Sequence, residues 1–164
     1  MLNKALAMEI THEAVQTRKM LERVPLGQSD WKPHNKSMHL GKIANHLAGI
    51  IGYIPIILGT SSLDITKAKL PLGNATNMEA LLADFDRHVE EAIEALNKTD
   101  ESTLREPWSL TNGERNIFTL PKVAALRSMS ISHLIHHRGQ LSVFLRLLDV
   151  PVPGMYGPSA DEPF

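Results

Sequence analysis

The chain has 164 residues, a formal net charge of −1 at pH 7 and no cysteine. That length suits one domain, residues 1–164, with a real hydrophobic core. The balanced charge points away from nucleic acid and anionic membranes as partners. The lack of thiols excludes disulfides and thiolate metal sites and fits a reducing cytoplasm. Residues 1–5 lack the charged-then-apolar start of a signal peptide. The longest apolar run, residues 50–58, falls short of the roughly 18–20 residues of a membrane span and contains Gly52, Tyr53 and Pro55. The eight histidines are the one compositional excess.

The first predicted helix covers residues 2–23, with Leu6, Ile10, Met20 and Leu21 as its apolar stripe and Pro25 and Gly27 as its stop. Its stripe thins where Glu9, His12, Glu13 and Thr17 fall. Such residues form either a polar patch toward the bundle interior or, more commonly, a solvated face. Residues 25–37 read as a loop anchored by Trp31. The second helix starts near residues 37–39, with Ser37 as N-cap, and runs to residue 58 with a bend at Pro55. Its stripe is Ile43, His46, Leu47, Ile50 and Ile54, so His46 lies on the buried side. Gly41, Gly49 and Gly52 either allow close backbone approach or simply weaken the helix.

Residues 59–76 form a second loop. Asn77 caps a third helix that ends near residue 96, with Leu81, Leu82, Phe85, Val89, Ala92, Ile93 and Leu96 inward. Residues 97–120 read as a long connection carrying Trp108, with a hairpin turn at Asn112-Gly113. The fourth helix spans residues 121–148 and is followed by a Pro- and Gly-rich tail. Four long helices with few strand signals give an all-α four-helix bundle with long inter-helix loops, which leave the helix order open.

The chemistry concentrates in Ile131-Ser132-His133-Leu134-Ile135-His136-His137-Arg138-Gly139-Gln140. The stripe of Leu126, Met129, Leu141, Phe144 and Leu148 continues through His133 and His137, which stand one turn apart on one face. His136 lies roughly 100° round from His137 and points away. Two imidazoles at this spacing can share a divalent metal, and His46 is the best third ligand. Three uncompensated imidazoles in a core would be costly, whereas a metal satisfies them and leaves at least one coordination position open. The plainer reading is that each is an ordinary hydrogen-bonded core histidine. Gln140, one turn beyond His137 toward the core side, is placed to support that histidine, and Arg138 reads as a structural pairing group rather than a substrate clamp. The single Glu9-x-x-His12 is one short of the two Glu-x-x-His pairs of a di-iron bundle. No nucleophile elbow, P-loop or dinucleotide fingerprint is present.

Three pieces of sequence carry a family resemblance over nearly the whole chain. They are Trp31-Lys-Pro-His-Asn-Lys-Ser-Met-His-Leu-Gly with Ile-Ala-Asn-His46-Leu-Ala, then His133-Leu-Ile-His-His137-Arg-Gly-Gln-Leu, then Val152-Pro-Gly-Met-Tyr-Gly-Pro-Ser-Ala-Asp-Glu. Together they resemble the DinB-like (DinB/YfiT) superfamily of metal-binding four-helix bundles. The resemblance implies a metal triad at His46, His133 and His137, nickel or zinc as the metal, and a homodimer formed through helix faces. Relatives include hydrolases and enzymes that use a low-molecular-weight thiol, among them S-transferases and a maleylpyruvate isomerase. One departure is visible: His39 and Lys42 stand where members often carry a small capping residue and an acidic one.

The expectation is therefore a cytoplasmic, metal-dependent hydrolase or thiol S-transferase acting on a small molecule. Its mouth would lie near Trp108 and the end of the first helix, with Glu9 or Glu13 available as general base for hydrolysis. The alternatives are a non-catalytic, stress-associated binding or scaffold protein with a structural metal, and a metal-free ligand-binding bundle.

Overall fold

Apolar periodicity in the sequence becomes four helical rods in the computed structural model, which describes residues 1–163. The first rod is α1 (Leu2–Leu21). The second is α2 (Leu40–Ile50) continued by α3 (Tyr53–Gly59). The third is α4 (Met78–Lys98). The fourth joins α5 (Lys122–Leu126) to α6 (Ser132–Leu147) through a π-helical turn at Arg127–Ile131. Packed neighbours are α1 with α4, α4 with α2, α2 with α6, and α6 with α1. The first two rods therefore stand diagonally across the bundle, and the loop of residues 22–39 crosses its end to join them.

That loop also explains a correction at the start of α2. Ser37 is not the N-cap; the helix begins at Leu40, and His39 in the cap position makes no side-chain capping bond. The first helical N–H groups need acceptors, and the loop supplies them. Leu40 N–H donates to Trp31 O at 2.8 Å and Gly41 N–H to Ser29 O at 2.9 Å. Trp31 anchors the loop as expected, its ring edge-on to Phe144 of α6 at 5.6 Å. The bend of the second rod lies at Ile51-Gly52, upstream of Pro55. Pro55 sits in the first turn of α3, where its missing N–H costs nothing, and its ring is incompatible with the carbonyl four residues earlier, at Ile51. The stretch Leu40–Gly59 is long and apolar enough to cross a membrane by length and composition, but it is mostly buried inside the bundle, as in a core helix.

The all-α expectation needs a second correction. A small mixed sheet, β1-β2-β3, caps one end of the bundle: β1 (Ser62–Asp64), β2 (Pro107–Asn112) and β3 (Arg115–Pro121). The expected turn is real, with Asn112 paired to Arg115 across Gly113-Glu114 and Gly113 at φ +60°. A glycine with positive φ at the first turn position is what a tight hairpin requires. Trp108, opposite Leu120, and Leu110, opposite Phe118, face the bundle; Ser109 and Thr119 share an outward hydroxyl bond of 2.7 Å. β1 runs parallel to β2, and the Asp64 carboxylate accepts the Gly113 N–H at 3.0 Å. Backbone N–H bonds from Thr66 and Gly113 hold that carboxylate down at about 2.

The close-approach reading of the glycines in the second rod holds. A Cβ on Gly49 would lie 1.7 Å from the Pro71 carbonyl oxygen, and one on Gly52 would lie 2.7 Å from Pro71 Cβ. Asn45 pins the same loop, accepting the Ala75 N–H at 2.7 Å and donating to Ala75 O at 3.0 Å. These contacts lay residues 70–75 along α2. Gly49→Ala is therefore expected to lower unfolding free energy by ~1–3 kcal/mol through overpacking. Gly139→Ala, on an α6 face with nothing within 4 Å, should raise it by up to about 1 kcal/mol through helix propensity. Urea denaturation of the two variants checks the pair; equal effects would contradict the packing of the loop on α2.

Candidate metal centre

α2 and α6 pack against each other, and the three histidines meet at that seam. His46 comes from α2, and His133 and His137 stand one turn apart on α6. His133 Nε2 lies 3.0 Å from His137 Nε2 and 3.2 Å from His46 Nε2, and one ring nitrogen from each of the three lies within 4.8 Å of the others. His137 is buried, and His46 and His133 are half-buried.

The outer nitrogens fix two of the rings. His133 Nδ1 lies 3.2 Å from the Met129 carbonyl, in the π-helical turn. A carbonyl oxygen only accepts, so Nδ1 carries the proton and Nε2 the lone pair. His137 Nδ1 donates to Gln140 Oε1 at 2.7 Å, which again leaves Nε2 with its lone pair inward. Gln140 thus occupies the supporting place read from its spacing. Two neutral imidazoles then direct lone pairs at each other across 3.0 Å, a repulsive arrangement that a bound cation reverses. A tetrahedral zinc ion with bonds of ~2.0–2.1 Å spaces its nitrogens roughly 3.3 Å apart, close to the observed separations. The donor set therefore fits a first-row divalent ion.

The electrostatics keep the donors unprotonated. Burial, aided by the charges of His137, His133 and Lys42, pushes the His46 imidazole from its ordinary 6.5 down to about 4. Burial also lowers His133 and His137, against their hydrogen bonds to the Met129 carbonyl and Gln140 Oε1, which raise them. Neutral imidazole is the form that binds metal.

His136 is exposed, as expected. Arg138 is the structural pairing group that its position indicated. Buried beside α1, it pairs with Glu13 Oε2 at 2.6 Å and donates to Glu13 O and Thr17 Oγ1, each at 3.1 Å. Tyr156 from the C-terminal tail donates to Glu13 Oε2 at 2.8 Å. The polar middle of α1 therefore divides between its two readings: Glu13 and Thr17 face the interior, whereas His12 is exposed and Glu9 only partly buried. Glu9 pairs with Arg127 at 3.0 Å. Both carboxylates considered as general bases are engaged by arginines, and among the described residues no carboxylate joins the histidine cluster. Trp108 does not line the mouth. It is fully buried, its Nε1 donating to Thr60 Oγ1 at 3.0 Å.

The space beside His46 is instead a cleft of about 250 Å³ between α2 and residues 72–74, lined by Gly41, Lys42, Asn45, Leu72, Gly73 and Asn74. Lys42 stands four residues before His46, so helical spacing could have placed it there; the loop's contribution leaves no periodic signal. His88 of α4 is buried and satisfied, with Nδ1 donating to Ala48 O at 2.9 Å and Nε2 3.1 Å from an Arg87 nitrogen.

A family model described as the DinB family matches residues 1–163. In sequence, the chain is 29% identical over 153 residues to the uncharacterized protein YrdA of Bacillus subtilis (strain 168), covering 92% of this chain and 85% of that one. In structure, it is similar to a DinB-like protein, YjoA, from Bacillus subtilis, with a TM-score of 0.72 at 17% identity over 98% and 96% of the two chains. A DinB-like protein from Bacillus cereus ATCC 10987 aligns with a TM-score of 0.65 at 25% identity, covering 89% and 92%.

The depressed His46 pKa has a stability consequence. Between pH 6.5 and about 4 the unfolded chain binds a proton at His46 that the native chain refuses. Stability therefore rises with pH across that window and is lost as pH falls through it. For chelator-treated protein, the melting temperature should fall between pH 6.5 and 4.5, and the fall should be shallower in His46→Ala. Parallel curves would contradict the buried, imidazole-flanked setting of His46.

Proposed function

The chain belongs to the DinB family, and we propose that it is a metal-dependent enzyme in which His46, His133 and His137 hold one divalent ion, nickel or zinc, beside a small-molecule cleft. The observation that carries this reading is the convergence of three ring nitrogens whose protons, at His133 and His137, are engaged on the far side of the ring. When bound, the ion supplies Lewis acidity and leaves positions open for a small ligand. The chain's own residues do the rest. Gln140 and the Met129 carbonyl orient the two α6 rings, burial keeps all three imidazoles neutral, and the 72–74 loop bounds the space beside His46.

Between the two reactions expected of such a site, thiol transfer is the better supported. Hydrolysis calls for a general base near the attacking water. Glu13 is held by Arg138 and Tyr156, and Glu9 by Arg127. Among the described residues, the His46 cleft has no carboxylate in its lining. In thiol transfer the nucleophile arrives with the substrate. The S–H bond of the thiol and the C–X bond of an electrophile break, an S–C bond forms, and the proton leaves with X. A low-molecular-weight thiol would then be the second small-molecule partner, in a cysteine-free protein suited to a reducing cytoplasm. We take the working form to be a homodimer.

The rival reading, a non-catalytic scaffold with a structural metal, predicts a closed coordination sphere. The test is nickel- or zinc-loaded protein with 2-mercaptoethanol and 1-chloro-2,4-dinitrobenzene, followed optically. Conjugation above the uncatalysed rate should depend on metal, vanish in His137→Ala and drop ~10–100-fold in Gln140→Leu. Rates identical with and without the metal, or unchanged in both variants, would favour the scaffold.

A further inference from the structure

We propose that the cleft beside His46 takes a small organic anion and that Lys42 is the residue that selects it. This rests on the metal-enzyme reading above and names its substrate class. Lys42 stands one turn before His46 on the same face of α2, and both line the cleft. No other residue of its lining carries a formal charge at neutral pH, and no carboxylate is present to neutralise the ammonium. Among the described residues Lys42 makes no ion pair. Two carboxylates adjoin the cleft without entering its lining: Asp30, in the neighbouring cleft that shares Gly41, Lys42 and Asn45, and Asp84, whose Oδ2 would lie 3.5 Å from a Cβ on Gly73 and which is already paired with Arg87.

The remaining walls limit what can enter. The Asn45 amide is consumed by the loop it pins, donating to Gly41 O and Ala75 O and accepting from Ala75 N–H. It is a wall rather than a free donor. Leu72 is 55% exposed and contributes apolar surface to the cleft lining. The volume of about 250 Å³ lies below the ~300 Å³ at which drug-sized pockets begin. A single cation, an apolar wall and a small volume together suit a short organic molecule bearing one negative group. With the loop held to α2 by Asn45 and by the glycine contact at Pro71, the cleft is preformed, so little ordering is lost on binding.

Three thiols of similar length and different charge test this: 3-mercaptopropionate, 2-mercaptoethanol and cysteamine. Each is titrated into cobalt-loaded protein and read from the cobalt absorption bands. Wild type should bind 3-mercaptopropionate about five- to tenfold more tightly than 2-mercaptoethanol. Lys42→Met should bring the two within about twofold, Lys42→Arg should keep the preference, and Lys42→Glu should turn it toward cysteamine. Equal affinities in wild type, or a preference that survives Lys42→Glu, would overturn the role of Lys42 while leaving the metal site intact. Protein that takes up no cobalt, or whose bands respond to none of the three thiols, would overturn the metal-enzyme reading and this inference with it.

Discussion

Two imidazole nitrogens with inward lone pairs, 3.0 Å apart at a helix seam, set the terms for the rest of this structure. Each ring directs its N–H to an acceptor behind it, Met129 O for His133 and Gln140 Oε1 for His137. A third ring, His46, closes on the pair from α2 at 3.2 Å. Apolar packing alone would not choose this arrangement, because polar nitrogens at a buried seam are costly unless something satisfies them. Burial then excludes the protonated alternative, pushing His46 down to about 4. What remains is a neutral, preoriented nitrogen cluster, which is the form a divalent ion requires.

The fold supplies this cluster through contacts well removed from it. The π-helical turn at Arg127–Ile131 sits immediately before α6 and brings the Met129 carbonyl within reach of His133; such turns often occur at functional sites. On the other side of α6, Arg138 ties α1 and the C-terminal tail into one buried polar network through Glu13, Thr17 and Tyr156. Breaking such a pair strands a buried charge, so the network fixes α6 against α1. On the second rod, the absence of side chains at Gly49 and Gly52 lets the 70–75 loop lie against the helices, and the loop becomes one wall of the cleft beside His46. Helix packing, a glycine contact and a buried ion pair thus converge on one small space.

Much of this was legible in the sequence, and the failures have identifiable physical reasons. Helical stripes carried His46, His133 and His137 to one interior because periodicity records which face a residue occupies. Gln140 was legible for the same reason, three residues beyond His137. The hairpin of β2 and β3 was read as a loop with a turn, although Trp108-Ser-Leu110 and Phe118-Thr-Leu120 do alternate inward and outward around it. The alternation is only three residues long on each strand, and the bulge between Leu110 and Thr111 interrupts it. β1 pairs parallel to a strand more than forty residues away, and no local pattern announces that. Glu13 looked solvated because its partner, Arg138, is 125 positions distant in sequence. The cleft was misplaced toward Trp108 because an aromatic in a long connection resembles a mouth residue, whereas this one is fully buried under the sheet.

The central claim is that these three histidines hold a metal ion, and metal content measures it most directly. Tag-free protein, purified without chelator and examined by elemental mass spectrometry, should carry about one divalent metal per chain, most of it nickel or zinc. That metal should be lost in both His46→Ala and His133→Ala. Wild-type protein that holds no metal even after reconstitution, or full retention in both variants, would contradict the account.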